Sequence, residues 1–204
     1  MLAELTSAVR SSFLNIEDIR NDNFATPEGQ LVFRLVRACL DESMRLSPPM
    51  PTTLARRVLK GGITVAGRYF PEGVDIATPC FTLHMNEKYF PDPFTYKPSR
   101  FLAGTAESQE HAQSAFAPFS HGPRSCIAKS FAYLELILAL ARTVWLYDFE
   151  YIGGGRDTRL DNIKHVEELG GGKHPIIYSI DDHYAGFGTR EGPNIKFIRR
   201  PDIE

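Results

Sequence analysis

The sequence predicts a mainly α-helical protein with a small region of β-sheet. Residues 2–13 and 31–46 carry apolar side chains at spacings of three and four, the pattern of an amphipathic helix. Residues 127–146 are rich in Ala and Leu and are apolar around most of the helical circumference, which is typical of a buried helix. Short β-type runs separated by Gly and Pro follow the second helix and return near the C-terminus.

Length and composition favour one ordinary globular domain. The chain has 204 residues, 43% hydrophobic and 24% charged, which is enough to bury one core. The formal net charge of -2 argues against both disorder and a nucleic-acid-coating protein, so we expect no nucleic-acid partner.

The cysteines and the N-terminus indicate the compartment. Cys39, Cys80 and Cys126 are odd in number and widely spaced, which suits a reducing compartment better than a disulfide framework. Charges at Glu4 and Arg10 interrupt any signal-peptide core, and no run approaches the roughly 18 apolar residues of a membrane span. As written, the chain is expected to be cytoplasmic, without anchor or signal.

The helix over residues 31–46 should stop before Pro48 and Pro49, because proline cannot donate the helical hydrogen bond. A small twisted sheet of hairpins is predicted next, because Gly- and Pro-containing turns separate the β-type runs. These runs cover residues 53–54, 57–59, 63–65 and 74–77.

Two further segments lack a strong periodic pattern. Residues 89–119 are rich in Pro, Phe and polar side chains and are predicted to be ordered but irregular, as long functional loops are. The tail over residues 147–204 alternates weak strand runs (149–152, 176–180 and 195–198) with Gly-rich turns.

Residues 119–126 bring a cysteine to the start of the predicted buried helix. Unpaired N–H groups and the macrodipole at a helix N-terminus favour an anion, so Cys126 is suited to be a thiolate that faces a metal. The planar guanidinium of Arg124 suits a carboxylate, and Gly122 allows a tight turn. The alternative is a buried structural cysteine beside an ordinary turn.

Glu42 and Arg45 lie three residues apart on the predicted second helix, where such pairs are usually exposed and weak. By spacing alone they would indicate nothing about function. His84 and His121 are lone histidines in predicted loops, and we assign neither of them a metal role.

Taken together, these motifs resemble those of the cytochrome P-450 family. The pattern Phe119-x-x-Gly122-x-Arg124-x-Cys126 is similar to the family's cysteine-ligand loop, which usually continues to a Gly where this chain has Ala128. Glu42-x-x-Arg45 and, later, Pro98-Ser99-Arg100-Phe101 are similar to its other two signatures, in the same order.

The resemblance implies haem b as cofactor, with Cys126 as the axial iron ligand. It implies cofactor contacts for Phe119, Gly122, Arg124 and Arg56, although Arg57 is an alternative to Arg56. It also implies a buried structural triad of Glu42, Arg45 and Arg100. No residue of this chain is assigned a catalytic role.

The resemblance covers only the C-terminal part of the family's fold: Glu-x-x-Arg helix, small sheet, meander, cysteine-ligand loop (residues 117–128) and long buried helix. Residues 1–204 would thus be one partial domain, apparently truncated. Complete relatives carry an N-terminal anchor in the endoplasmic reticulum membrane and a central proton-relay helix, so one haem face and part of the core would be exposed here.

The implied function is a monooxygenase that inserts one oxygen atom into a small organic substrate, with an NADPH-dependent reductase as electron donor. Residues 46–49, 84–93 and 139–142 resemble fungal members of secondary or aromatic-acid metabolism most. The alternatives are a non-catalytic fragment, with or without haem, and a subunit completed by a separately encoded N-terminal half.

Overall fold

The computed structural model describes residues 2–13, 16–19, 27–50, 53–102, 106–152 and 194–201. Within these ranges the chain is helix-rich with small two-stranded sheets, in agreement with the predicted class. The α-helices are α1 (Leu2–Ser12), α2 (Pro27–Leu46), α3 (Cys80–His84), α4 (Ala106–Ala115) and α5 (Lys129–Leu146). Short 3-10 turns cover Ile16–Asp18, Pro98–Phe101 and Gly122–Arg124.

The core lies where α1, α2 and α5 pack against one another. Apolar residues spaced three and four apart place one face of each helix in this core, which is why the periodic pattern predicted them. The buried core residues are Leu5, Val9, Phe13, Ile19, Val32, Val36, Cys39, Met44, Tyr133, Ile137, Ala141, Val144 and Trp145.

Polar side chains at the ends of the helices tie α5 to α1. Trp145 donates its indole N–H to the carbonyl of Phe13 at 3.1 Å, so the largest core side chain is not left with an unpaired donor. Arg10 donates to the carbonyls of Val144 and Tyr147 and forms an ion pair with Asp148 at 2.8 Å. These bonds fix the C-terminal end of α5 against the end of α1.

The second helix begins four residues earlier than the apolar periodicity predicted. Pro27 occupies its first position, where a missing N–H and a fixed φ are compatible with a helix. The helix ends at Leu46, before Pro48 and Pro49, as expected.

The sequence predicted one small sheet of hairpins between α2 and α3, whereas the structure forms two separate two-stranded sheets there. Strands β1 (Arg56–Arg57) and β4 (Asp75–Ile76) pair antiparallel, and β2 (Ile63–Val65) pairs antiparallel with β3 (Arg68–Phe70). The run at residues 53–54 is not a strand. Positive-φ residues Ala66 and Gly67 form the turn between β2 and β3.

The segment predicted to be irregular contains a helix. Helix α4 and the 3-10 turn Pro98–Phe101 lie within residues 89–119, and α3 lies just before them. Helix α4 was missed because its sequence, AESQEHAQSA, is polar and has no apolar stripe. Helix α3 has only five residues, too few for a periodic signal.

Composition predicted that helix α5 is buried around most of its circumference, but the structure buries only one face of it. It begins at Lys129 rather than at residue 127, and Ile127 is 102% exposed and Phe131 67% exposed. The opposite face, with Tyr133, Ile137, Ala141 and Val144, is buried. The structure therefore leaves one apolar face of α5 uncovered by the described residues.

The chain ends in a third antiparallel pair, β5 (Tyr147–Tyr151) with β6 (Ile195–Arg199). Both strands overlap runs predicted from the sequence, whereas the run at residues 176–180 lies outside the described residues. Of the helices described above, none combines the length and the apolar character that crossing a bilayer requires.

Candidate cofactor site and its supporting network

The cysteine loop is a compact turn held by its own backbone. Cys126 N–H donates to the carbonyl of Phe119 at 2.9 Å, and Ser125 N–H donates to the carbonyl of Gly122 at 3.0 Å. Phe119 packs against the core and meets the Tyr133 ring with centroids 5.1 Å apart. The structure thus joins Phe119 and Cys126 directly, while the Cys126 side chain is exposed.

Two positive φ angles make this turn possible. Gly122 has a φ of +75°, and a Cβ placed on it would meet nothing within 4 Å, so open space lies above this backbone. Ser120 adopts a φ of 60°, a conformation that costs a non-glycine residue of order 1 kcal/mol and must be held by its surroundings. The glycine is therefore needed for its backbone angle, and the space beside it is free for a flat ligand.

Cys126 lies three residues before the first residue of α5, whereas the sequence predicted that it stands directly at the start of this helix. The helix begins at Lys129, whose N–H donates to the carbonyl of Cys126 at 3.3 Å. The N-cap residue is Ala128, which has no capping side chain. The sulfur therefore precedes the helix by about one turn, at a distance where the macrodipole acts more weakly than at the first residues.

The two arginines expected to meet haem carboxylates are both exposed. Arg56 donates only to the nearby carbonyls of Leu54 and Ala55, at 3.2 and 3.0 Å. Its neighbour Arg57 forms a bidentate pair with Asp75, with both distances 3.0 Å. Among the described residues no carboxylate pairs with Arg56 or Arg124, so of the two adjacent arginines Arg56 is the one whose charge is available.

Glu42, Arg45 and Arg100 are brought together by the structure. Arg45 holds the Glu42 carboxylate in a bidentate pair, with Nε–Oε2 2.8 Å and Nη2–Oε1 3.0 Å. Arg100 Nε donates to Oε1 at 3.1 Å, and the backbone N–H of Lys97 donates to the same oxygen at 2.8 Å. Glu42 and Arg45 have side chains that are 0% exposed, unlike the exposed pair that their spacing alone predicts.

The two guanidiniums of this network also hold backbone carbonyls. Arg45 Nη1 donates to the carbonyl of His84 at 2.9 Å. Arg100 donates to the carbonyls of Pro91 and Asp92 at 2.9 and 3.2 Å. In the described part of the chain no buried side-chain nitrogen or oxygen lacks a partner. The carboxylate and its two guanidiniums thus anchor the irregular segment after α3 to helix α2.

A second buried network was not predicted from the sequence. Tyr133 donates its hydroxyl to Asp41 Oδ1 at 2.6 Å, and Arg37 holds the same carboxylate with its Nε at 3.0 and 3.1 Å. The Arg37 guanidinium also lies 3.4 Å from the centroid of the Tyr133 ring, a cation–π contact. Burial raises the pKa of Asp41 and the pKa of Tyr133. The i, i+4 spacing of Arg37 and Asp41 was a usable signal, whereas nothing in the sequence points to Tyr133.

The two histidines differ in position. His121 is exposed at the start of the cysteine loop. His84 is fully buried at the end of α3, where its ring nitrogens lie 3.0 Å from the carbonyl of Arg45 and 3.0 Å from the N–H of Ala117. Burial lowers the pKa of His84 to about 4, so the ring is neutral near pH 7.

The residues present fit a haem better than a metal ion held by protein side chains alone. Within the described ranges no group of three or more His, Cys, Asp or Glu could hold an ion. A porphyrin brings its own equatorial nitrogens, so one exposed cysteine is enough on the protein side. Open space at Gly122, exposed apolar residues at Ile127 and Phe131, and arginines without carboxylate partners suit a flat, apolar, doubly acidic group.

Comparison with known proteins points to the same family as the motifs. The family model for cytochrome P-450 matches residues 30–169. A cytochrome P-450 monooxygenase of Gibberella zeae is 39% identical over 203 residues, which cover 100% of this chain and 44% of the relative. The cytochrome P-450 monooxygenase apf8 of Gibberella fujikuroi is 39% identical over 97% of this chain and 51% of its own length.

Another relative matches a shorter stretch. The cytochrome P-450 monooxygenase poxM of Penicillium oxalicum is 46% identical over 122 residues, 60% of this chain. The chain spans about half the length of the curated relatives that match it end to end, at 44% and 51%.

Proposed function

This chain belongs to the cytochrome P-450 family, and on that premise we propose that it is the haem-binding part of a haem-thiolate monooxygenase, with Cys126 as the iron ligand. The observation that carries the proposal is the exposed Cys126 thiol on a backbone-fixed loop beside open space at Gly122. The relatives named as monooxygenases support the type of reaction.

Each site residue has a distinct part in holding the cofactor. Cys126 would hold the iron through its sulfur, and the bond from Cys126 N–H to the carbonyl of Phe119 would orient this residue toward it. Arg124 and Arg56 would bind the two propionates, because guanidiniums suit carboxylates. Bound haem b would supply the activation of dioxygen, with the thiolate increasing electron density at the iron.

The ion-pair network of Glu42, Arg45 and Arg100 holds the backbone that leads to the cysteine loop. Arg45 and Arg100 donate to backbone carbonyls of residues 84, 91, 92 and 95, and Glu42 accepts the backbone N–H of Lys97. Buried charges that are fully paired are costly to break, so the segment between α3 and the cysteine loop is held in one arrangement. We therefore assign these three residues to support of the site and not to chemistry.

The remaining parts of the proposal concern the whole protein. We propose a small organic substrate, one oxygen atom inserted into it, and an NADPH-dependent reductase as electron donor. Resemblance to fungal members favours secondary metabolism, and complete members of the family are anchored in the endoplasmic reticulum membrane. These roles require a dry pocket and proton delivery.

A second candidate function is a non-catalytic fragment, and one observation favours it. Ile127 and Phe131 are exposed large apolar residues beside the cysteine loop, at 102% and 67%. A haem bound there would be open to solvent on the described residues alone, and open sites retain cofactors weakly. Haem retention therefore separates the two candidates.

The test is the reduced, CO-bound difference spectrum of the purified chain with haem supplied. We expect a strongly red-shifted Soret band, and we expect Cys126→Ala to lose it because the sulfur donor is gone. Cys80→Ser is the matched control, since a hydroxyl can still donate to the carbonyl of Ala117 as the thiol does at 3.3 Å. Soluble protein without any such band would favour the non-catalytic fragment.

A further inference from the structure

His84 links the Glu42–Arg45 helix to the segment that leads into the cysteine loop. Its Nδ1 lies 3.0 Å from the carbonyl oxygen of Arg45, and its Nε2 lies 3.0 Å from the backbone nitrogen of Ala117. The ring stacks on Phe116 and meets Phe90 edge-on, at centroid distances of 5.4 and 6.1 Å. The side chain is 0% exposed, so no water replaces either bond.

The two partners determine the state of the ring. A carbonyl only accepts, so Nδ1 must carry the proton and donate to Arg45. A backbone N–H only donates, so Nε2 must be unprotonated and accept from Ala117. His84 is therefore the neutral Nδ1–H tautomer, one ring that donates to α2 and accepts from the loop segment.

Both polar groups of Ala117 are held by side chains of α3. Its N–H is bound by His84, and its carbonyl accepts from the Cys80 thiol at 3.3 Å. The same carbonyl accepts the N–H of Ser120 at 3.0 Å. Helix α3 thus fixes the start of the cysteine loop in space.

Two backbone hydrogen bonds connect Ala117 to Cys126 through Ser120 and its neighbour Phe119. Ser120 has the unfavourable φ of 60° and is held there by its bond to Ala117. The preceding residue, Phe119, accepts the N–H of Cys126 at 2.9 Å. Loss of the His84 bond would release Ala117, allow Ser120 to leave its strained angle, and loosen the bond that orients Cys126.

We infer that His84 is a positioning residue that orients the Cys126 thiolate, through its acceptor bond to Ala117. His84 thereby has a role of its own beside the ion-pair network, to which it is joined by two bonds with Arg45: its carbonyl accepts from Arg45 Nη1 at 2.9 Å, and its Nδ1 lies 3.0 Å from the Arg45 carbonyl. This role rests on the proposed function for its chemical consequence, since an oriented sulfur matters only with haem bound. The structural part is independent of haem and is tested without it.

The variants separate the two bonds of the ring. His84→Asn keeps a donor near Nδ1 for Arg45 and removes the acceptor at Nε2, whereas His84→Gln places an oxygen near Nε2 that can still accept from Ala117. His111→Gln is the matched control, because His111 is exposed and its ring meets the Tyr89 ring at a tilted angle, with centroids 4.9 Å apart.

The first measurement is amide hydrogen exchange in the full chain without haem. In His84→Asn we expect the Ala117 and Cys126 amides to exchange about tenfold faster, while core amides of α2 and α5 stay as in the wild type. His84→Gln and His111→Gln should stay near the wild-type rates. Unchanged exchange at Ala117 and Cys126 in a folded His84→Asn would overturn the inference.

If His84→Asn loses protection in the core as well, His84→Gln decides the question. Wild-type exchange at Ala117 and Cys126 in a folded His84→Gln supports the inference, because the retained acceptor is then sufficient. Faster exchange at these two amides with a native core overturns it.

The second measurement uses haem and the CO difference spectrum. At equal haem content, we expect the fraction of the CO complex that lacks thiolate ligation to be several-fold larger in His84→Asn than in His84→Gln. Equal fractions in the two variants would overturn the role in orienting sulfur. A wild-type chain without the thiolate band would refute the proposed function, while the exchange measurement would still decide the role of His84 in the loop.

Discussion

At the scale of single residues, burial changes the meaning of side chains that look ordinary in the sequence. Glu42 and Arg45 have the spacing of a weak surface pair, yet both are fully buried and fully bonded. His84 looks like a loop histidine, yet both ring nitrogens are bonded to backbone. A buried polar group without a partner costs much more than a surface one, so these residues have large effects when changed.

The first prediction concerns the carboxylate between two guanidiniums. We expect Glu42→Gln to destabilise the chain by about 3–5 kcal/mol, because the buried Arg45 charge loses its counter-charge. The measurement is the urea midpoint of unfolding. Asp75→Asn, which breaks only the exposed pair with Arg57, is the control and should shift the midpoint little. Equal shifts in the two variants would contradict the importance of burial.

The second prediction concerns pH. Burial lowers the pKa of folded His84 from 6.5 to about 4, so only the unfolded chain takes up this proton between those values. The neutral ring therefore contributes stability above pH 6.5, and that contribution is lost as pH falls toward 4, by at most about 3 kcal/mol. The groups facing the ring are Arg45 and Glu42 from α2 and Cys80 from its own helix.

The measurement is the unfolding free energy of the wild type and of His84→Gln at several pH values between 4 and 7. The wild type should lose more stability than the variant as pH falls, because glutamine does not titrate. Parallel curves would show that His84 does not contribute this pH dependence.

At the scale of elements, the apolar pattern predicted the long amphipathic helices but not the short or polar ones. Helices α1 and α2 were expected because their apolar stripes face the core. Helix α3 was missed because five residues carry no period, and α4 because its sequence is polar. For α5, composition predicted a helix but could not show which face another part of the structure covers.

The third prediction concerns the contact between α2 and α5. We expect Tyr133→Phe to destabilise the chain by about 1–3 kcal/mol, because the buried Asp41 carboxylate loses a hydrogen bond of 2.6 Å. Thermal unfolding followed by circular dichroism measures the change. Tyr69→Phe, at an exposed tyrosine of β3, is the matched control and should leave the transition unchanged. A result within error of that control would argue against this network as a link between the helices.

At the scale of the whole molecule, the described residues bury one core and leave apolar surface on α5 and the hairpins. Exposed large apolar residues include Leu59, Ile63, Tyr69, Ile127 and Phe131. Exposed large apolar residues promote association. From the sequence, one haem face and part of the core were expected to be exposed; Ile127 and Phe131 are exposed large apolar residues beside the cysteine loop.

The fourth prediction follows from that surface. We expect the chain to self-associate at micromolar concentration. The double variant Ile127→Gln, Phe131→Gln should shift the equilibrium toward the monomer by about tenfold or more, because it removes two exposed apolar side chains. Sedimentation velocity over a concentration series measures this. Glu110→Gln on α4 is an exposed control. If the double variant associates as strongly as the wild type, the α5 face is not the contact.

The sequence by itself determined the family, through three motifs in fixed order, and the long helices, through periodic apolar residues. Such features are local in the chain, so they can be read from the sequence alone. The resemblance implied that Glu42 meets Arg100, and these side chains are hydrogen-bonded in the structure. Tertiary structure alone decided that Tyr133 meets Asp41 and that His84 joins α2 to the cysteine loop. These contacts join residues 33 to 92 positions apart in the chain, and folding is what removes water from them and makes each bond matter.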